Sequence, residues 1–213
     1  SDASSSFYMP GEGWGSTPRN GSAGYSWDFG TLNFTGIYQG SNAPLVDYES
    51  VVVGRSNAAQ TNPASGNHHT RHTIGNNNFV LVDSVFTGYQ SVFVNGSFPA
   101  DVIPSIGNSN FKVNIVGDLN VATDYQSINY WSFRYPRSLS FSSESIIDFE
   151  VINSAAVKSK IEITGGQFNN PVAFVIGAEP YKLTIVESNG IYQSLVPNAT
   201  LTDRQKVFIA SDN

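Results

Sequence analysis

From Tyr25 onward the chain offers no capped apolar stripe at the 3.6-residue helical period, and this limits its fold more than any other feature. Its apolar residues come instead in short runs of Val, Ile, Phe, Tyr and Thr, separated by Gly, Asn and Pro. Such runs are strands. In 146–152, Ile147, Phe149 and Val151 share one face, while Asp148 and Glu150 share the other. Leu183 and Ile185 alternate with Lys182 and Thr184 in the same way. This alternation predicts half-buried antiparallel sheet. Asn189-Gly190 sits between two such runs and predicts a type I′ hairpin, whose two central residues need positive φ. Asn95-Gly96 and Gly165-Gly166 suggest two more hairpins.

The fold class expected is all-β: a jelly-roll-like antiparallel β-sandwich with an extended N-terminal arm. Residues 1–24 read as the arm and residues 25–213 as a single sandwich domain. The arm is rich in Gly and aromatics and has no core of its own. An ordered arm of that kind must pack on something. That is the domain's own surface or a sister subunit; the sister subunit is the expected partner, with Phe7, Tyr8 and Trp14 as the contacts.

Residues 55–78 form the longest break between strand signals. Loops of that length are uncommon in compact domains and often functional. All three histidines fall there: His68, His69 and His72. Clustered imidazoles suit a transition metal, which makes the three a candidate metal site. Asp118-x-Asn120-x-x-x-Asp124 offers oxygen ligands for calcium, although the glycine and terminal Glu of an EF-hand are missing. No cofactor is otherwise indicated.

Tyr130-Trp131-Ser132-Phe133-Arg134-Tyr135 is the densest aromatic run. On a strand, Trp131, Phe133 and Tyr135 would face the core, leaving Tyr130 and Arg134 on the opposite side. Those two are the candidate ligand-binding pair, with Tyr130 as a stacking platform for a sugar ring. Asp148-x-Glu150 resembles part of the Glu-x-Asp-x-Glu active strand of sandwich-fold glucanases. It departs from that pattern at Ile146, which stands in the nucleophile's place. No catalytic residue is assigned.

Charge and composition narrow the function classes. Eleven Lys+Arg against seventeen Asp+Glu give a net charge of −6, which excludes the basic face that nucleic-acid binding needs. No run approaches the roughly 18 apolar residues of a membrane helix. The chain has no cysteine, its charged fraction is only 13%, and it carries sequons at Asn20, Asn33, Asn95 and Asn198 that its Asn, Ser and Thr content would produce by chance. The expectation is a non-enzymatic structural or attachment protein of a virus or bacteriophage virion, located in the virion or outside the cell. It would be homo-oligomeric, with other virion proteins and a cell-surface glycan as partners. The alternatives are a secreted bacterial carbohydrate-binding module and a sandwich-fold glycoside hydrolase.

Overall fold

The computed structural model describes residues 8–9, 13–40, 42–59, 66–140, 145–165, 168–177, 179–198 and 204–211. Among them the structure is all-β and sandwich-like, with antiparallel ladders in every sheet. By contacts the chain falls into two compact units, residues 1–137 and 138–213. Each unit has its own hydrophobic core, where the sequence marked no boundary within 25–213. The junction at Pro136-Arg137-Ser138 has no compositional linker to betray it.

The first unit opens with β1 (Tyr8–Met9) and β2 (Gly13–Trp14), which pair with each other. β3 (Arg19–Asn20), β4 (Tyr25–Asn33), β5 (Val46–Gly54), β6 (His68–Ile74), β7 (Phe79–Phe86), β8 (Ser91–Phe98), β9 (Asn108–Ile115) and β10 (Tyr125–Arg134) follow. They form two four-stranded sheets, β3-β10-β5-β8 and β4-β9-β6-β7. Alternate residues of both sheets fill the core: Val46, Tyr48 and Val52 from β5, Val94 and Phe98 from β8, Phe111 and Val113 from β9, and Ile74 from β6. Trp131, Phe133 and Tyr135 pack against that cluster, on the core side expected of them.

The second unit contains β11 (Ile146–Ile152), β12 (Lys158–Thr164), β13 (Pro171–Ile176), β14 (Tyr181–Leu183), β15 (Val186–Ser188), β16 (Ile191–Pro197) and β17 (Arg204–Ser211). Its sheets are β11-β17-β13-β14 and β12-β16-β15. Asn189 and Gly190 join β15 to β16 with φ of 54° and 75°, the two positive values a type I′ turn requires.

Two local expectations are corrected. Asn95-Gly96 is not a turn but the middle of β8, paired with Glu49 and Tyr48 of β5. The break at 55–78 contains β6, a central strand between β9 and β7. Its inward residues His68, Thr70 and His72 are polar, so it carried no apolar signal. Residues 60–65 of that break lie outside the described residues.

Part of the arm packs on the chain's own sheet. Phe7 lies outside the described residues, and Tyr8 and Trp14 are placed only as backbone in the β1-β2 pair. Residues 16–21 lie along the chain's own β10. The Ser16 N–H donates to the Ile128 carbonyl at 2.7 Å, and the Ile128 N–H donates to Ser16 Oγ at 2.9 Å. β3 then pairs with Tyr125 and Gln126, and the Gly21 N–H reaches the Asp124 carbonyl at 2.8 Å. Gly21 is buried against Ile115, where a Cβ would strike the Ile115 side chain. The order of this stretch therefore needs no sister subunit.

Candidate functional site

β6 splits the three histidines between its two faces, because successive strand residues point opposite ways. His68 and His72 enter the core and His69 faces outward, so they do not converge. Among the described residues no group of three or more His, Asp or Glu side chains is placed to hold a metal ion. The expected metal site is replaced by three separate hydrogen-bond networks.

His68 is fully buried. Its Nδ1 lies 2.6 Å from Asp124 Oδ1 and its Nε2 lies 2.9 Å from the Ser56 carbonyl. Asp124 is also buried and accepts further bonds from Gln126 Nε2 and the His69 N–H. His72 Nδ1 lies 2.6 Å from the Tyr48 hydroxyl and its Nε2 lies 2.9 Å from Thr70 Oγ1. A neutral ring satisfies both contacts, with Tyr48 O–H donating to Nδ1 and Nε2–H donating to Thr70. Burial pulls the His72 pKa down to about 3 and pushes the Tyr48 hydroxyl up.

On the outer face, His69 Nδ1 meets Asp118 at 2.8 Å and Nε2 meets Asp83 at 2.5 Å. Arg71 Nε donates to the other oxygen of Asp83 at 2.9 Å. Desolvation lowers the His69 pKa, but hydrogen bonds and charge from Asp118 and Asp83 outweigh it and the net shift is upward. Asp118 and Asp124, expected as calcium ligands, are thus each bound to a different histidine on a different face of β6.

The candidate pair Tyr130 and Arg134 faces away from the core, on the outer face of the β3-β10-β5-β8 sheet. A β-bulge makes this possible. Ile128 pairs with Val52 and Tyr130 with Val51, leaving Asn129 as the extra residue. Without it Tyr130 would share the inward face of Ile128, since two residues along a strand restore the same side.

The bulge sets Tyr130 in a row across three strands: Tyr130 on β10, Val51 on β5 and Phe93 on β8. Tyr130 is 42% and Phe93 53% exposed, with the buried Val51 between them. Two strand spacings put about 9.5 Å between the outer members. The next row is polar: Ser132, Glu49 and Asn95, with Ser132 Oγ donating to Glu49 Oε1 at 3.0 Å. Beyond it lie Arg134, Asp47 and Ser97. The sequence pointed to Tyr130 and Arg134 but missed Phe93, because the pairing of β5 with β8 was not legible.

In the second unit, Asp148 and Glu150 do share the outward face of β11. Each faces a cation of β17: Lys206 Nζ lies 2.7 Å from Asp148 and Arg204 Nη1 lies 3.7 Å from Glu150. These are exposed cross-strand ion pairs.

No protein-family profile matches the chain, and no curated protein is significantly similar to it. Among solved structures it is similar to dimeric latent PorU from Porphyromonas gingivalis, with 9% identity over 91% of this chain and a TM-score of 0.52. The chain spans 18% of that protein's length. At such identity the likeness concerns the fold alone.

Proposed function

We propose that the chain is a non-catalytic extracellular glycan-recognition module, binding through the outer face of the β3-β10-β5-β8 sheet. The observation that carries this reading is the Tyr130–Val51–Phe93 row with a polar row beside it. A sugar ring offers an apolar C–H face and a polar rim of hydroxyls. A flat strip of exposed aromatic surface flanked by Glu49, Asn95 and Ser132 complements both parts. The span between Tyr130 and Phe93 suits two consecutive rings of an extended chain.

Two further observations support this reading. The arm, which first suggested a virion assembly, is held along its own β10 at residues 16–21. Asp148 and Glu150, the candidate hydrolytic acids, are engaged by Lys206 and Arg204.

The test is binding of the intact chain to an immobilised glycan array, followed by calorimetry on the best ligand. Tyr130→Ala and Phe93→Ala should each weaken binding by about tenfold or more, the effect of removing a central aromatic anchor. Ile106→Ala, an exposed apolar residue in the turn before β9, should leave binding unchanged. Retention of no glycan, or equal binding by all three variants, would overturn the proposal.

A further inference from the structure

The outer face of the other sheet, β4-β9-β6-β7, carries an open depression of about 690 Å³. Ser26 of β4, Lys112 and Asn114 of β9, Arg71 and Thr73 of β6, and Asn78 line it. The register explains the arrangement. Ser26 lies opposite Asn114 and Asn114 opposite Arg71, while Asp28 lies opposite Lys112 and Lys112 opposite Thr73. Arg71 and Lys112 are therefore diagonal neighbours on adjacent strands, about 7–8 Å apart at the backbone.

Their counter-ions lie on the far sides. Asp83 on β7 holds Arg71 at 2.9 Å, and Asp28 on β4 holds Lys112 at 3.3 Å. Neither carboxylate lines the depression, whereas both cations do. A chain of net charge −6 thus turns two positive groups toward one concavity and backs each with a negative one. Each cation keeps N–H donors beyond those its aspartate uses.

We infer that this depression is a binding site for one carboxylate group of a small polar ligand, of the class of a hexuronate. The carboxylate takes N–H donors from Arg71 and Lys112, and the hydroxyls meet Ser26, Thr73, Asn78 and Asn114. The backing aspartates set the charge of the ligand. Because they offset much of the cations' charge, a single carboxylate suits the site better than a doubly charged phosphate. The site is on the sheet opposite to the proposed glycan face and stands independently of it.

The intact chain, labelled with nitrogen-15, is titrated by NMR with methyl β-glucuronoside, with methyl β-glucoside and with inorganic phosphate. The first two differ only in carboxylate against hydroxymethyl. The uronoside should give saturable shifts in β6 and β9, with the neutral glycoside and phosphate at least about tenfold weaker, as expected for loss of a charge-assisted contact. Lys112→Gln should abolish the preference and Lys112→Arg should restore it. Tyr130→Ala should leave it unchanged, which separates this site from the glycan face. Equal binding of the two glycosides, tighter binding of phosphate, or a preference that survives Lys112→Gln would overturn the inference.

Discussion

His68 Nδ1 lies 2.6 Å from Asp124 Oδ1, and both side chains are closed off from solvent. The contact joins the two sheets, because His68 opens β6 while Asp124 immediately precedes β10. A neutral imidazole has a single N–H, yet His68 meets acceptors at both nitrogens. One ring nitrogen serves Asp124, whose carboxylate also gathers donors from Gln126 and the His69 backbone. Removing one member of such a pair strands the other in the interior. Asp124→Ala should therefore cost about 1–3 kcal/mol for each donor it strands, and Asp124→Asn, which keeps an acceptor oxygen, clearly less. Urea unfolding followed by tryptophan fluorescence reports on this directly, since Trp14, Trp27 and Trp131 all belong to the first unit. Equal losses for both variants would mean that the retained acceptor oxygen does not carry the contact.

His72 predicts the acid limb of stability. Its ordinary value is 6.5 and burial lowers it to about 3 in the folded chain. Between those values the unfolded chain takes up a proton that the folded chain refuses. The stability due to this residue is thus complete above pH 6.5 and falls as the pH is lowered, by about 1.4 kcal/mol per pH unit. His72→Gln, which leaves Tyr48 an acceptor, should flatten the wild-type slope between about pH 4 and 6 by that amount. His69 has the opposite sign. Its raised pKa gives stability that is complete below 6.5 and lost as the pH climbs through the raised value. His69→Gln should accordingly cost most on the acid side and least on the alkaline side. Parallel urea titrations of wild type and both variants across this range check both signs.

Much of the local structure could be read from residue pattern, and the exceptions share one cause. Alternation placed Ile146–Ile152 where β11 lies, and it put Trp131 and Phe133 inward with Tyr130 outward. β6 escaped because periodicity registers apolar residues, whereas its inward face is His68, Thr70 and His72. Those residues are buried only because Asp124, Ser56 and Tyr48 come from distant parts of the chain to satisfy them. Phe93 escaped for a related reason, since its place beside Tyr130 depends on which strands lie on either side of β5. Strand order is a long-range property, and no single stretch of residues encodes it.

Gly96 bears on how the two sheets of the first unit meet at β7 and β8. A Cβ at this position would lie 2.6 Å from the Leu81 carbonyl oxygen, a backbone atom of β7. A side chain could rotate aside, but a backbone carbonyl within a strand cannot move without disturbing that strand. Gly96→Ala should therefore cost about 1–3 kcal/mol, the usual range for overpacking a filled site. Gly30→Ala provides the contrast, because nothing lies within 4 Å of the Cβ there and only its positive φ resists the change. Thermal melts of the two variants should show the larger loss at Gly96, and the reverse order would mean that β7 and β8 yield more readily than their contact implies.

The inner part of the arm offers the last prediction. Ser16, Asn20 and Gly21 are bonded to Ile128 and Asp124 of the same chain, with distances from 2.7 to 3.1 Å. Bonds made within one chain do not depend on how many copies are present. Amide hydrogens of Ser16 and Gly21 should therefore exchange slowly, and at the same rate in dilute and concentrated protein. Protection supplied by a sister molecule would instead rise with concentration, by mass action. Ser16→Ala removes the acceptor for the Ile128 N–H and should speed exchange at Ile128 while leaving Phe111 and Val113 in the core unaffected. Hydrogen exchange at two protein concentrations, on wild type and this variant, separates a strand held by its own sandwich from one held between molecules.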